Sequence, residues 1–176
     1  MKKSEKGYSL IELLVAVTIM VLAATGAGSA VYQILKNIEN NNDRMTVVRQ
    51  VENAGYWISR DAQMARALST SDNLTDPDFL SLSWTSWDDA GLIVDHSANY
   101  TFVNVTDKIG DLKRTYTNGV TTQTTIVAQY IFFDLADTSS TSNTTFNAPL
   151  LTVRLTAKYD QVEESREYSI QRRPGF

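Results

Sequence analysis

The feature that most constrains this chain is a stretch without any charged residue, from residue 13 to residue 35. These 23 residues at a helical rise of ~1.5 Å would extend ~35 Å, enough to cross a hydrocarbon core of ~30 Å. Lys2, Lys3 and Lys6 precede the stretch, with Glu5 among them, and a basic flank of this kind stays in the cytoplasm. The sequence therefore predicts one membrane-spanning helix, with a cytoplasmic N-terminus and the C-terminal bulk across the membrane.

Glu12 is an acid one turn inside this otherwise apolar helix. A carboxylate at the centre of a bilayer costs roughly 3 kcal/mol on insertion scales, so an acid in such a place usually has a function and a partner. We therefore predict a functional role for Glu12.

The residues around Glu12 resemble the type IV prepilin signal, which type IV pilins share with the pseudopilins of type II secretion. The resemblance rests on Gly7, Tyr8, Ser9, Leu10, Ile11, Glu12 and Leu13, in that order. It implies that a membrane aspartyl peptidase cuts between Gly7 and Tyr8 and methylates the new amino terminus on Tyr8. It also implies that Glu12, the fifth mature residue, pairs in the filament with the amino terminus of a neighbouring subunit.

Two other interpretations of the N-terminus are weaker. A secretory signal peptide has an apolar core of ~7–15 residues and a cleavage site after that core, whereas this apolar stretch is longer and the cleavage-like sequence precedes it. A plain signal anchor explains the length and the flanks, but it gives no reason for the order of residues from Gly7 to Glu12. Sequencing of the mature N-terminus separates these alternatives from the prepilin interpretation.

Composition limits what the rest of the chain does. The chain has 176 residues and a net charge of -4, which becomes -6 if the leader, with its three lysines and one glutamate, is removed. An acidic product is not expected to bind nucleic acid. Cysteine is absent, so no disulfide stabilises the exported part. This differs from the many pilins whose C-terminal loop is closed by a disulfide, and it favours a minor subunit over a classical adhesive one.

Beyond residue 35 the helical period continues, which predicts one long helix over residues 8–69 with one face buried in a soluble domain. The predicted face comprises Ile38, Met45, Val48, Val51, Gly55, Ile58, Ala62, Ala65 and Leu68. Residues 36–44 are too polar for lipid or a core and are placed at the membrane exit. Gly26 and Gly28 either permit local melting of the helix or are ordinary membrane glycines.

From residue 70 the apolar residues alternate, as in half-buried strands. Strands are predicted at residues 79–84, 100–105, 109–117, 120–127, 126–135, 151–159 and 165–171, with a loop at 136–147. Asn118 and Gly119 form the strongest hairpin signal in the chain. The predicted fold class is α+β and pilin-like, with one long N-terminal helix packed on an antiparallel sheet or on two small sheets. The predicted organisation is a leader at 1–7, a transmembrane and assembly helix at 8–35, the soluble half of the helix at 36–69 and a β-rich domain at 70–176.

The sequence offers little catalytic chemistry. His96 is the only histidine, in a stretch that looks like a solvated loop, and no phosphate-binding loop or zinc-binding helix motif is present. We therefore predict no enzyme, no cofactor and no metal site. We interpret Asp72, Asp76 and Asp78 as acids that form turns or end the helix. We interpret Trp84 and Trp87 as indoles buried in the core. Asn73, Asn99, Asn104 and Asn143 each begin an Asn-x-Ser/Thr triplet, which arises by chance in so Asn- and Thr-rich a chain.

The expected function is structural: a minor or initiating subunit of a type IV pilus or a type II secretion pseudopilus. The soluble part resembles J-type pseudopilins and W-type minor pilins in short segments, such as Arg60 with Asp61 and residues 110–114. The family implies as partners other pilins, the prepilin peptidase and the inner-membrane assembly platform. The expected location is the inner membrane and then a periplasmic or surface filament. The alternatives are a major pilin and a signal-anchored extracytoplasmic binding protein.

Overall fold

A computed structural model describes residues 9–70, 79–134, 136–137 and 139–171. In this part of the chain one helix precedes eight strands. The elements are α1 (Leu10–Met64), β1 (Ala67–Thr70), β2 (Leu80–Trp87), β3 (Ile93–Thr106), β4 (Ile109–Asn118), β5 (Thr122–Phe132), β6 (Asn143–Asn147), β7 (Leu150–Tyr159) and β8 (Val162–Gln171). The predicted α+β architecture, a long N-terminal helix packed on an antiparallel sheet, is confirmed.

The chain divides into two compact units, Met1–Asn42 and Asp43–Phe176. In the first unit, every described residue from Ser9 to Asn42 is exposed. α1 is the described helix that is long and apolar enough to span a membrane, and it continues through Gly26 and Gly28 without interruption. Local melting at these glycines in a filament stays a prediction.

The second unit contains the sheet, in which every strand pair is antiparallel. The strand order is β1-β2-β3-β4-β5-β7-β6, and β8 pairs with the other side of β7. β5 meets β7 only at Ile131, opposite Ala157. Elsewhere along this edge of β5, side chains of α1 bond to the strand backbone. Asn53 donates to the carbonyl of Val127 (2.6 Å), and Gln50 accepts from the amide of Gln129 (2.8 Å).

The core forms between the sheet and one face of α1. Val47, Val51, Ala54, Ile58 and Ala62 are fully or almost fully buried, and their spacing of three and four residues places them on one side of a helix. They pack against apolar side chains from six strands, among which the largest fully buried are Leu80, Leu82, Tyr100, Leu112, Ile131, Leu151 and Leu155.

Gly55 lies where a side chain of β8 packs directly against the helix backbone. A Cβ atom at this position would lie 2.2 Å from the ring of Tyr168, and the hydroxyl of Tyr168 donates to the carbonyl of Val51 (3.1 Å). Only glycine leaves room for this ring, which explains a glycine in a helix interior despite its cost of ~1 kcal/mol.

The predicted helix end at residue 69 is wrong, because α1 ends at Met64. The amide of Arg66 already donates to the carbonyl of Ser83 (2.8 Å), and residues Ala67–Thr70 pair with β2. Leu68 therefore packs against the core from a strand. The predicted core face is right at Val51, Gly55, Ile58 and Ala62, but Ile38 and Met45 are about half exposed.

Three predictions in the β-rich part are also wrong. The two strands predicted at 120–127 and 126–135 are one strand, β5, because the strand continues without a turn between them. The predicted loop at 136–147 contains β6, whose Ser/Thr/Asn-type residues lack an apolar alternation but pair with β7. Trp84 is buried as predicted, whereas Trp87 is 70% exposed because the alternation along β2 places it on the opposite face from Trp84. The sheet is one sheet of eight strands rather than two, and the hairpin predicted at Asn118 and Gly119 is confirmed between β4 and β5.

We expect Ile58→Asp to unfold the second unit or to lower its free energy of unfolding by several kcal/mol. Ile58 is fully buried in the core, and an unpaired carboxylate there has no solvation. Thermal melting of a fragment that starts at Lys36 measures the effect. Tyr56→Asp is the matched control, since Tyr56 is an exposed neighbour on the same helix and should tolerate the charge. Equal melting of both variants and the parent would contradict this assignment of the core face.

Candidate assembly site

Ser9 begins the helix and caps it. Its hydroxyl accepts from the amide of Ile11 (3.2 Å), and its carbonyl accepts from the amide of Leu13 (3.2 Å). In return, the Oε2 atom of Glu12 accepts from the amide of Ser9 (3.0 Å). This reciprocal pattern of Ser at the N-cap and Glu three residues later is a capping box, which satisfies amides that otherwise lack a partner at a helix start.

The capping box fixes the position of Glu12. Its carboxylate lies at the helix N-terminus, where the helix dipole favours negative charge. It holds the amide of Ser9, the residue directly after Tyr8, so a new amino group on Tyr8 would be one residue from the atom that Glu12 already contacts. The predicted functional residue thus has a local structural role that the sequence analysis missed, although the Ser-x-x-Glu pattern before an apolar run signals it.

Gly7 and Tyr8 lie outside the described residues. Cleavage between them and methylation of Tyr8 therefore stay predictions, as does the pairing of Glu12 with another subunit.

Three hydroxyl side chains in the apolar stretch bond within the helix. Thr18 donates to the carbonyls of Leu14 and Val15 (3.1 and 2.8 Å), Thr25 donates likewise to those of Val21 and Leu22, and Ser29 donates to that of Gly26. Because lipid offers no hydrogen-bond partners, these internal bonds allow three hydroxyls to lie in a membrane span. Glu12 differs from them, since its carboxyl group is ionisable and can accept more hydrogen bonds than the one from Ser9.

His96 is not the solvated loop residue that the sequence predicted. It lies in β3, partly buried, with its ring stacked on Trp84 (centroids 5.5 Å apart). Its Nε2 atom lies 2.7 Å from the hydroxyl of Ser86, and its Nδ1 atom lies 2.8 Å from that of Tyr116. Both ring nitrogens are thus engaged by hydroxyl groups of neighbouring strands, and His96 joins two strands to β3.

The second unit, Asp43–Phe176, which we call the soluble unit, also contains a buried ion pair that sequence reasoning did not predict. Asp61 is completely buried. Arg114 donates to both of its oxygens, through Nε to Oδ2 (2.6 Å) and through Nη2 to Oδ1 (2.9 Å), and Tyr100 donates to Oδ2 (2.6 Å). The guanidinium of Arg114 also lies between the rings of Trp57 and Tyr116, 4.9 and 4.8 Å from their centroids. These contacts join α1 to β3 and β4.

The protonation of this cluster follows from its burial. Burial raises the pKa of Tyr100 well above its ordinary value, and the Asp61 carboxylate raises it further, so the tyrosine remains a hydrogen-bond donor. Burial opposes the charge on Arg114, but its bonds to Asp61 hold the pKa of the guanidinium above its usual value. The groups bond to one another, as in a structural ion pair.

The other candidate residues show no assembled site. Asp72, Asp76, Asp78 and Asn73 lie outside the described residues. Of the remaining asparagines, the side chain of Asn99 accepts from Ser81 and that of Asn104 donates to Asp111, while Asn143 begins β6. Within the described ranges, no three His, Asp or Glu side chains are grouped so that they could hold a metal ion.

Comparison with known proteins gives one match. The family model for the prokaryotic N-terminal methylation motif matches residues 2–28, which include Gly7, Tyr8 and Glu12. No curated protein and no solved structure matches the chain significantly. The matched family is structural rather than enzymatic, and its motif implies processing by a peptidase and assembly with other pilins. The chain therefore carries the prokaryotic N-terminal methylation motif on a pilin-like α+β fold, consistent with a type IV pilin or pseudopilin.

Proposed function

We propose that the chain is a structural subunit, without enzymatic activity, of a filament of the type IV pilus or type II secretion pseudopilus class. The observation that carries this proposal is the methylation motif at residues 2–28 at the start of a helix whose apolar side chains are all exposed as far as residue 42. Such an apolar surface must be buried, first in lipid and then against the helices of neighbouring subunits. The peptidase would cut between Gly7 and Tyr8, and Tyr8 would be N-methylated.

The proposed location follows from charge and hydropathy. Lys2, Lys3 and Lys6 favour a cytoplasmic N-terminus under the positive-inside rule. The helix then spans the inner membrane once, and the unit Asp43–Phe176 lies outside the cytoplasm until assembly carries it into a periplasmic or surface filament. The assembly platform of the inner membrane would be its partner at that step.

Within this class we propose a minor or initiating subunit. The lack of cysteine supports this choice, because it departs from pilins that close a loop with a disulfide. A major pilin is the alternative, and the number of copies per filament, counted by quantitative mass spectrometry of purified filaments, decides between them.

We expect Gly7→Val to remain an unprocessed precursor in the inner membrane. The peptidase needs a small residue at the cut, and Gly7 lies between the basic leader and the apolar helix. The measurement is the mass of the protein from membranes, because the parent should lack residues 1–7 and carry one methyl group. Gly26→Val is the matched control, since a Cβ atom at Gly26 meets no other atom within 4 Å, and it should be processed like the parent. Normal processing of Gly7→Val would count heavily against the proposed function.

A further inference from the structure

Two neighbouring hairpins of the soluble unit end in exposed apolar side chains. Trp87, Leu92 and Ile93, at the β2–β3 turn, are 70%, 65% and 63% exposed, and Val120, at the β4–β5 turn, is 94% exposed. We call these four residues the hairpin tip. Single exposed apolar residues are common on proteins, but a cluster of large ones usually marks an interaction site.

The four side chains lie at the same end of the sheet. Trp87 and Ile93 are directly paired across β2 and β3, and Leu92 is next to Ile93 in the chain. The turn of the second hairpin lies next to the start of β3, because a Cβ atom on Gly119 would lie 3.5 Å from the side chain of Val94. Val120, the next residue in this turn, is therefore exposed at the same end of the sheet as Trp87.

The turns that present these side chains are held by their own hydrogen bonds. The side-chain oxygen Oδ1 of Asp88 accepts from the amides of Ala90 (2.9 Å) and Leu92 (2.7 Å). In the other turn, Oδ1 of Asn118 accepts from the amide of Thr121 (3.0 Å). The apolar side chains thus stand on structured turns and are not turned inward to the core.

The hairpin tip lies at the end of the soluble unit that is remote from the start of its helix at Asp43. The contacts between α1 and the sheet show this direction. Gln50 contacts Gln129, far from the β4–β5 turn, while Asp61 near the helix end contacts Arg114, only a few residues before that turn. The two hairpins continue beyond this point.

The charge around the hairpin tip is negative. Asp88, Asp89 and Asp95 are exposed, and among the described residues no ion pair neutralises them. Residues 85–95 and 117–122 contain no lysine or arginine. Such a surface is repelled by anionic lipid headgroups and by other acidic surfaces.

We propose that the hairpin tip binds the interfacial layer of a zwitterionic lipid membrane. The tip protrudes on two turns, so it suits a soft planar surface, and a tryptophan beside aliphatic side chains is the composition that partitions into the interface. The acidic rim excludes anionic membranes but tolerates neutral headgroups. The inference rests on the proposed function in one respect: an initiating subunit would carry the hairpin tip at the leading end of a filament.

The test uses the full chain, anchored through its own helix in lipid nanodiscs, with pure phosphatidylcholine vesicles as the probe. We expect the loaded discs to float with the vesicles, unlike empty discs, and Trp87→Ala to weaken this binding about tenfold. Tyr56→Ala is the matched control, because Tyr56 is an exposed aromatic residue on the helix, and it should bind like the parent. Brominated lipid in the vesicles should quench the fluorescence of the parent but not that of Trp87→Ala. Addition of anionic lipid should weaken binding.

Three results would overturn the inference: loaded discs that float no better than empty ones, Tyr56→Ala weakened as much as Trp87→Ala, or discs that associate with one another through the tip without vesicles. The last result would assign the tip to a protein partner. The proposed function is tested separately, by the processing and assembly of the chain in cells. A chain that assembles normally but does not bind vesicles refutes only the lipid inference, and the reverse result refutes only the function.

Discussion

Asp61→Ala is expected to lower the free energy of unfolding of the soluble unit by ~3–5 kcal/mol, because removal of one partner from a buried ion pair leaves the other charge without compensation. Arg114 would lose both of its bonds to the carboxylate, and Tyr100 would lose its acceptor. A loss of this size is a large part of the stability of a typical domain. Chemical denaturation of the fragment that starts at Lys36 measures it.

The surface pair of Lys108 and Asp134 provides a matched control. Its charged atoms are also 2.6 Å apart, but the lysine side chain is 57% exposed. We expect Asp134→Ala to cost only ~1–2 kcal/mol, because water replaces the lost partner of Lys108 and the amide of Ala136 loses only the one bond that it donates to Asp134 (3.0 Å). A third variant, Asp61→Leu with Arg114→Met, removes both charges and should recover much of the stability. Similar losses for Asp61→Ala and Asp134→Ala would show that burial does not determine the strength of the pair.

The fold could be predicted wherever a local pattern decides the structure. The uncharged stretch of 23 residues predicts the first half of α1, and the alternation of Leu151, Val153 and Leu155 predicts β7, whose buried face they form. Asn118 and Gly119 predict a hairpin because tight hairpin turns favour the Asn-Gly dipeptide, and Gly119 does have a positive φ of 70°. In each case the residues that decide the structure are neighbours in the chain.

The predictions were wrong mainly where residues distant in the chain determine the structure. Ala65 and Leu68 fit the helical period, but pairing with β2 ends the helix at Met64. β6 is stabilised by β7 and not by its own apolar pattern. Trp87 is an exception, because it lies three positions after Trp84, and the alternation of β2 already places it on the opposite face from Trp84 and the other buried residues of the strand.

The candidate functional residues divide in the same way, into those that a local pattern reveals and those that it does not. Glu12 could be predicted to be functional because a charged residue in an apolar helix is evident from the local sequence. Its capping box is evident from residues 9–12 alone. The sequence did not identify the partner of Asp61, because Arg114 lies 53 positions further along the chain. A buried acid on the core face of a helix does indicate that a partner exists, but it does not say which residue supplies it.

We expect Glu12→Ala to insert into the membrane and to be processed normally, yet to fail in assembly with neighbouring subunits. Insertion and cleavage depend on the leader and the apolar stretch, both unchanged. In the assembled filament, the carboxylate of Glu12 would neutralise the amino terminus of a neighbour in a medium of low dielectric constant. A pairing that recovers ~3 kcal/mol favours assembly by roughly a hundredfold, so the variant should lose almost all crosslinking to partner pilins in membranes.

The capping box complicates this prediction, because Glu12→Ala removes a helix cap as well as a charge. Glu12→Gln separates the two roles, since glutamine also accepts from an N-cap amide but carries no charge. Ser9→Ala does the opposite: it weakens the cap by ~0.5–2 kcal/mol and keeps the carboxylate. If charge neutralisation drives assembly, Glu12→Gln fails, Glu12→Asp assembles in part and Ser9→Ala assembles. Assembly by Glu12→Gln together with failure of Ser9→Ala would instead make helix capping the decisive role, and full assembly by Glu12→Ala would exclude both.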